Sequence, residues 1–133
     1  MTSESKQLTV LIERAPAVVY DYVSEPAHLA EWAPGLGSSV IQVDGRWFVE
    51  TDAGRVGVEF APRNEYGVLD HYVAFPTGDV FYNPMRVTAN GDGSEVVFSV
   101  RRLAGMTDDE FERDAGLVAA DLDRLRRILE SRR

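Results

Sequence analysis

The chain has 133 residues, a formal net charge of −8 and no cysteine, which suits a single domain with one core. The acidic surface opposes phosphate backbones, so nucleic acid is excluded as an expected partner, and the missing thiols exclude disulfides and thiolate chemistry. With two histidines, His28 and His71, the composition predicts no metal site, and we expect no cofactor.

The first residues, 1–7, are polar and lack the apolar segment of a signal peptide. No later run approaches the roughly 20 apolar residues of a membrane-spanning helix. We therefore expect a cytoplasmic protein that does not insert into membranes.

One strand and two short helices are predicted next. In Gln7–Arg14, apolar and polar residues largely alternate, as in a strand with one buried face. Pro16 stands at a first helical position, and Ala17–Ser24 continues as a short helix. A second short helix, Ala27–Trp32, ends before Pro34.

Six further strands are predicted between residues 38 and 102, separated by turns rich in glycine, proline and aspartate. They are Ser39–Val43, Arg46–Thr51, Arg55–Ala61, Gly67–Phe75, Val80–Ala89 and Glu95–Arg102. With the first strand they make seven antiparallel strands, joined as a meander.

A long C-terminal helix is predicted from Asp108 to about Ser131. Thr107 and Glu110 form a capping box, which supplies acceptors for the free backbone N–H groups at the helix start. Apolar residues recur at steps of four and three and form one stripe: Phe111, Ala115, Val118, Leu122, Leu125 and Leu129. Because the sheet is the only large surface available, we expect an α+β fold in which this helix packs across it. Asp121 is assigned to the solvated polar face of the helix.

Three parts of the chain resemble a known superfamily. Ile12–Leu36 (IERAPAVVYDYVSEPAHLAEWAPGL) is similar to the opening of the START-like, birch-pollen-allergen-like and polyketide-cyclase superfamily, in which a proline starts the first helix and a tryptophan closes the second. GVLDHYV and NPMRV, both within Asn64–Val87, and GSEVVFSV (Gly93–Val100) resemble a small bacterial branch labelled polyketide cyclase or dehydrase. The resemblance covers nearly the whole chain.

This resemblance implies the helix-grip fold, in which a long C-terminal helix lies across a curved, seven-stranded antiparallel sheet. It also implies a deep cavity that members use for lipids, polyketides or other apolar ligands. Some members catalyse cyclisation or dehydration, and relatives of the chaperone-activator type bind another protein. The superfamily label carries no fixed catalytic residues, so the site must be sought in the residues of this chain.

His71 is the candidate catalytic residue. Alternation along Gly67–Phe75 places it on the apolar face with Leu69 and Val73, and places Asp70 on the opposite face as an exterior cross-strand contact. An inward imidazole, with an unperturbed pKa of about 6.5, can accept or donate a proton near neutrality. The alternative is a core histidine bonded to a neighbouring tyrosine or carbonyl group.

The segment Val80–Ala89 leaves the orientation of several polar residues open. Regular alternation turns Asn83 inward and Tyr82 and Arg86 outward, but Pro84 can mark an edge or a bulge that shifts the register. An inward Arg86 would offer a fixed cation to a carboxylate or an enolate. An outward Arg86 in a surface ion pair is favoured, because an unpaired buried guanidinium is costly.

The candidate ligand contacts combine large apolar side chains with a few polar ones: Trp32, Trp47, Val49, Phe60, Leu69, His71, Tyr82, Asn83, Arg86, Phe98 and Val118. The leading hypothesis is a domain that binds a small hydrophobic molecule, such as a lipid, polyketide or aromatic metabolite, without assured catalysis. The second is a polyketide cyclase or dehydratase-like enzyme in which His71 is the acid/base and Tyr82 or Asn83 steadies an oxyanion. The third is a chaperone-activator-like interaction module. A homodimer is retained as a general expectation for a protein of this size.

Overall fold

Eight strands, three α-helices and one short 3-10 turn form the described part of the computed structural model, which covers residues 1–34, 39–52 and 54–132. The strands are β1 (Ser5–Ile12), β2 (Ser39–Val43), β3 (Arg46–Thr51), β4 (Gly54–Phe60), β5 (His71–Ala74), β6 (Val80–Asn83), β7 (Met85–Asn90) and β8 (Gly93–Arg101). The helices are α1 (Pro16–Val23), α2 (Leu29–Trp32) and α3 (Asp108–Ser131), with the 3-10 turn at Pro26–His28. Gly35 and Leu36, which end the first resembling segment, lie outside the described residues.

The strands pair in two antiparallel sheets, in the orders β2-β3-β4-β5-β6 and β1-β8-β7. The sequence predicts one strand over Val80–Ala89, and this is where the strand count differs from seven. Pro84 has no N–H to give to the ladder, so the strand divides there into β6 and β7. Ser99 N donates to the Pro84 carbonyl oxygen at 3.0 Å. The contact with β8 therefore continues across the break, although β6 and β7 belong to different sheets.

The predicted strand Gly67–Phe75 is also divided in its pairing, because only β5 pairs with β4 and β6. The residues before it pair with β7: Val87 N donates to the Gly67 carbonyl oxygen at 3.0 Å, and Leu69 N donates to that of Met85 at 2.8 Å. Gly67 has a φ of +70°, and a Cβ at this position would lie 2.0 Å from the Val87 carbonyl oxygen. Glycine therefore allows the close approach of this segment to β7.

Helix α1 covers part of the sheet. It begins at Pro16, whose fixed φ suits the first helical position and whose missing N–H is not needed there. The helix is capped by Ser24, just before Pro26. It packs against β7 and β8 and fully buries Val19 and Val23. This end of the sheet is therefore filled by the core.

Helix α3 lies along β1 and β8 and also contacts α2. The predicted capping box is confirmed: Glu110 N donates to Thr107 Oγ1 at 3.1 Å, and Thr107 N donates to Glu110 Oε1 at 2.9 Å. The buried members of the predicted stripe are Phe111, Ala115, Leu122, Leu125 and Leu129. Each fully buried Leu or Phe side chain contributes about 1.5–3 kcal/mol, so this stripe fixes the helix on the sheet. Within the described ranges, neither α3 nor another helix is long and apolar enough to cross a membrane.

Candidate functional site

A cavity of about 370 Å³ lies between the sheet and α3, within the usual size of small-molecule sites. Its wall is formed by β5, β6 and β8, by α2 and α3, and by the loop between β8 and α3. Most of the wall is apolar, and the polar residues along it are His71, Tyr82, Asn83, Arg101, Asp114 and Asp121. A few polar groups set in an apolar wall are the usual pattern of a site that orients a ligand.

His71, the first residue of β5, lines the cavity and is only 6% exposed. Its Nδ1 lies 3.0 Å from the Leu69 carbonyl oxygen. Since a carbonyl oxygen only accepts, Nδ1 carries the proton and donates it, which leaves the lone pair on Nε2. Nε2 has no hydrogen-bond partner among the described residues. The Phe60 and Phe98 rings hold the imidazole, with centroid distances of 4.9 and 5.7 Å.

The imidazole of His71 is neutral near pH 7. Burial lowers its pKa below the ordinary value, although the Leu69 carbonyl group and the Asp70 carboxylate act in the opposite direction. Asn83 lies directly opposite His71 in β6, on the same face of the sheet. Its side-chain amide reaches the cavity and has no hydrogen bond to any described residue. The Nε2 lone pair of His71 and the side-chain amide of Asn83 therefore lie side by side in the cavity wall.

The indole of Trp32 forms part of the apolar wall where α2 meets α3. The residue is 3% exposed, and its Nε1 has no hydrogen-bond partner within the described structure. A buried N–H without a partner costs roughly 1–3 kcal/mol. Trp32 thus belongs both to the hydrophobic core and to the cavity wall.

Helix α3 contributes two carboxyl groups that sequence reasoning did not assign to the cavity. Asp114 and Asp121 lie on the same side of the helix as Val118, at the spacing of helical neighbours. Burial raises the pKa of Asp114. Burial also raises the pKa of Asp121 to about 6, against the opposing effect of Arg124, whose Nη1 lies 3.1 Å from Asp121 Oδ1.

The assignment of Asp121 to the solvated face is therefore wrong, since its side chain is 18% exposed. The signal in the sequence is its spacing from Val118, three residues away along a buried stripe. A single carboxylate at the margin of an apolar stripe does not by itself show on which side of that margin it lies. No group of three His, Asp or Glu side chains in the described ranges is placed to hold a metal ion.

Arg86 and Asp70 form an ion pair on the outer side of the sheet. Arg86 Nε and Nη2 donate to Asp70 Oδ1 and Oδ2 at 3.2 and 3.0 Å, and Met85 N donates to Oδ1 at 2.9 Å. The Tyr82 hydroxyl donates to the same carboxylate. Burial opposes the charge on Asp70, but the hydrogen bonds from Arg86, Tyr82 and Met85 outweigh it and lower the pKa. The exterior contact expected of Asp70 is thus a buried one, and Arg86 lies outside the cavity.

The predicted contacts that line the cavity are Trp32, His71, Tyr82, Asn83, Phe98 and Val118. Val49 and Leu69, each 1% exposed, are instead part of the filled core. Trp47 and Phe60 line a second, more open depression of about 770 Å³. Alternation identifies the inner face of a strand but not which part of that face is open, because filled and empty stretches share the same period.

The curved antiparallel sheet, the long helix across it and the cavity between them define a helix-grip protein. The chain belongs to the family described as polyketide cyclase / dehydrase and lipid transport, whose model matches residues 5–130. No curated protein matches its sequence.

Solved structures share this fold over nearly the whole chain. Ara h 8.0201 is 15% identical with a TM-score of 0.70, and the match covers 96% of this chain and 98% of that one. DynU16, from the dynemicin biosynthetic locus, is 17% identical with a TM-score of 0.70, covering 95% of this chain and 47% of DynU16. The Aha1 dimer from Colwellia psychrerythraea is 13% identical with a TM-score of 0.73, covering 96% of each chain. At such identities the likeness establishes the fold alone.

Proposed function

We propose that the protein binds a small hydrophobic molecule in the cavity between the sheet and α3. One observation carries this proposal: the apolar cavity holds an unpaired Nε2 on His71 and, opposite it, the unpaired amide of Asn83. Both residues line the cavity, where the wall around them is mostly apolar and no described side chain or backbone group pairs with these atoms. A ligand that fills the cavity and bonds to these groups would supply the partners.

A ring-bearing ligand is favoured over a simple alkyl chain. The aromatic residues along the wall are Trp32, Phe75, Phe81, Tyr82 and Phe98. Aromatic side chains add about 0.5–1.5 kcal/mol per ring pair beyond the apolar area that they bury. A polyketide or an aromatic metabolite therefore suits the wall better than a fatty chain, and a polyketide also fits the description of the family.

The two tryptophans provide a test of this binding site. Trp32 lines the cavity, whereas Trp47 lines the second depression. In Trp47→Phe only Trp32 reports, and in Trp32→Phe only Trp47 reports. Titration with a panel of naphthols and anthraquinones should change the emission of Trp32 and leave that of Trp47 almost unchanged. Equal changes in both variants, or none in either, would contradict binding in this cavity.

A second candidate function is proton transfer by His71, as in a polyketide cyclase or dehydratase. The observation that favours it is the neutral imidazole with its lone pair on Nε2. Nε2 would take a proton from the carbon beside a ketide carbonyl, and the Asn83 amide would donate a hydrogen bond to the enolate oxygen that forms. Because burial lowers the pKa of His71, the imidazole is a weak base, and the enolate needs the second group.

The two functions separate in one variant. His71→Gln keeps a hydrogen-bonding side chain but cannot accept the proton. With a panel of β-hydroxy ketone thioesters, binding with lost turnover would support the enzyme, with Asn83→Leu as the variant that removes the enolate donor. Turnover that is unchanged in His71→Gln would exclude His71 as the base.

An interaction role rests on the outer face of β5 and β6, where Tyr72 and Val80 are exposed beside the second depression. Exposed apolar side chains of this kind can mark a contact surface. A chaperone-activator-like role, a homodimer and a cytoplasmic location all stay predictions. Sedimentation of the purified chain would show whether copies associate, and Val80→Asp should abolish any association through this face.

A further inference from the structure

The charges along the cavity are unevenly compensated. Asp121 is paired with Arg124, with 3.1 Å between the charged atoms. Arg101 is exposed to solvent, and its guanidinium lies 5.6 Å from the centre of the Tyr82 ring. Asp114 has no ion pair and no hydrogen bond to any described residue, and burial is the one cause of its raised pKa. Asp114, a half-buried carboxylate on α3, is therefore the charged group of the wall that has neither a partner among the described residues nor full contact with solvent.

A second polar group without a partner lies in the same cavity, on the sheet side. His71 is 6% exposed, its Nδ1 is used by the Leu69 carbonyl group, and Nε2 is the ring nitrogen left for a ligand. Nε2 is an acceptor because the imidazole is neutral. The Asp114 carboxylate is also an acceptor. Both groups thus require hydrogen-bond donors from whatever occupies the space between the sheet and the helix.

We infer that the cavity takes an amphiphile with a donor at each end: a hydroxyl group for Nε2 of His71 and a protonated amine for Asp114, joined by an apolar, ring-bearing body. This inference rests on the proposed binding function and names the chemical class of its ligand. An amine is favoured over a second hydroxyl group, because a charged donor gains about twice as much from a carboxylate as a neutral donor does. The net charge of −8 also draws cations toward the protein.

An anionic ligand is disfavoured by the same arrangement. A carboxylate placed beside Asp114 would meet a like charge in partly desolvated surroundings. Arg101 could attract such a group, but its charge is exposed to solvent and is screened by salt. Arg124 is already shared between Asp121 and the Trp32 carbonyl oxygen, at 3.1 and 3.5 Å. The preference for a cation is therefore a property of Asp114.

Four matched probes test this inference by titration calorimetry on the full chain. They are a hydroxynaphthyl-ethylamine, its ethyl analogue without the amine, its analogue without the hydroxyl group, and the corresponding hydroxynaphthyl-propionate. We expect the amine to bind about tenfold more tightly than the ethyl analogue, as one charge-assisted hydrogen bond provides. The propionate should bind more weakly than the ethyl analogue, and loss of the hydroxyl group should cost about fivefold.

Two variants assign these preferences to their residues. Asp114→Asn should remove the preference for the amine while the ethyl analogue binds as before, and His71→Phe should remove the preference for the hydroxyl group. Asp109→Asn changes the net charge equally at an exposed residue of the first turn of α3 and is the matched control. It should leave all four affinities unchanged at moderate salt.

The outcomes separate this inference from the proposed function. Equal binding of the amine, ethyl and propionate probes would overturn the inference and leave hydrophobic binding intact. Tightest binding of the propionate would also overturn it and would point to Arg101. If none of the four binds and the emission of Trp32 does not change, both the inference and the proposed function fail. An amine preference that persists in Asp114→Asn would show that another group provides it.

Discussion

Replacing Val118 with phenylalanine tests whether the space beneath α3 is open. Val118 is half-buried and lines the cavity of about 370 Å³, so an added phenyl ring has room to enter. Valine and phenylalanine have similar helix propensities. Burial of roughly 60 Å² more apolar surface at about 25 cal/mol per Å² would stabilise the protein by about 1.5 kcal/mol, which raises the melting temperature by about 5 °C for a domain of this length.

The matched control is the same change at Val96, which is fully buried in β8 and lies in the filled core. Overpacking there should cost about 1–3 kcal/mol. Urea unfolding of both variants measures the two free energies, and a hydrophobic probe should bind Val118→Phe about tenfold more weakly or not at all. If Val118→Phe is destabilised to the same extent as Val96→Phe, the space is already filled and the reasoning is refuted.

Further predictions concern the buried polar residues Asp70 and His71 and the close approach of Gly67 to β7. Asp70→Asn should lose roughly 2 kcal/mol at pH 7, where the carboxylate accepts hydrogen bonds from Arg86, Tyr82 and Met85. Because folding lowers the pKa of Asp70, this difference should shrink as the pH falls below about 4, the ordinary carboxyl value, and urea unfolding at pH 7 and pH 3 would show the decrease. His71→Phe should gain stability relative to the natural chain as the pH falls below about 6.5. In that range the unfolded histidine takes up a proton, whereas the buried histidine, whose pKa is lowered, stays neutral. If the melting temperatures of the two proteins change in parallel from pH 7 to pH 5, the neutral, buried imidazole is contradicted. Gly67→Ala should be destabilised far more than Gly45→Ala, since both have positive φ but only a Cβ at Gly67 would lie 2.0 Å from the Val87 carbonyl oxygen. Equal losses in the two variants, measured by thermal melting, would show that φ alone matters.

Much of the fold could be predicted from periodicity and capping signals. The alternation of the strands, the capping box at Thr107 and the apolar stripe of α3 each state a local preference that agrees with the tertiary structure. Pro84 predicts an edge or a bulge, but the pairing around it depends on Ser99 of β8, which donates its N–H to the Pro84 carbonyl oxygen. The close approach of Gly67 to β7 depends on contacts with residues about twenty positions later in the chain. No local sequence pattern contains this information.

Less of the candidate site could be predicted. Alternation places His71 and Asn83 on one inner face, and the structure sets them opposite each other in β5 and β6. Alternation cannot show that the interior is filled by side chains at Val49 but open at Val118. Packing between elements that are distant in the sequence decides this. The sequence does not identify Asp114, because a helical pattern shows the margin of a stripe but not the space beyond it.

The most direct test of the central claim is a crystal structure of the protein soaked with the hydroxynaphthyl-ethylamine. We predict electron density in the cavity between the sheet and α3, within hydrogen-bonding distance of Nε2 of His71, with the ring against Phe98 and Trp32. Density in the depression beside Trp47 instead, or a space beneath α3 that is filled by side chains, would contradict the account.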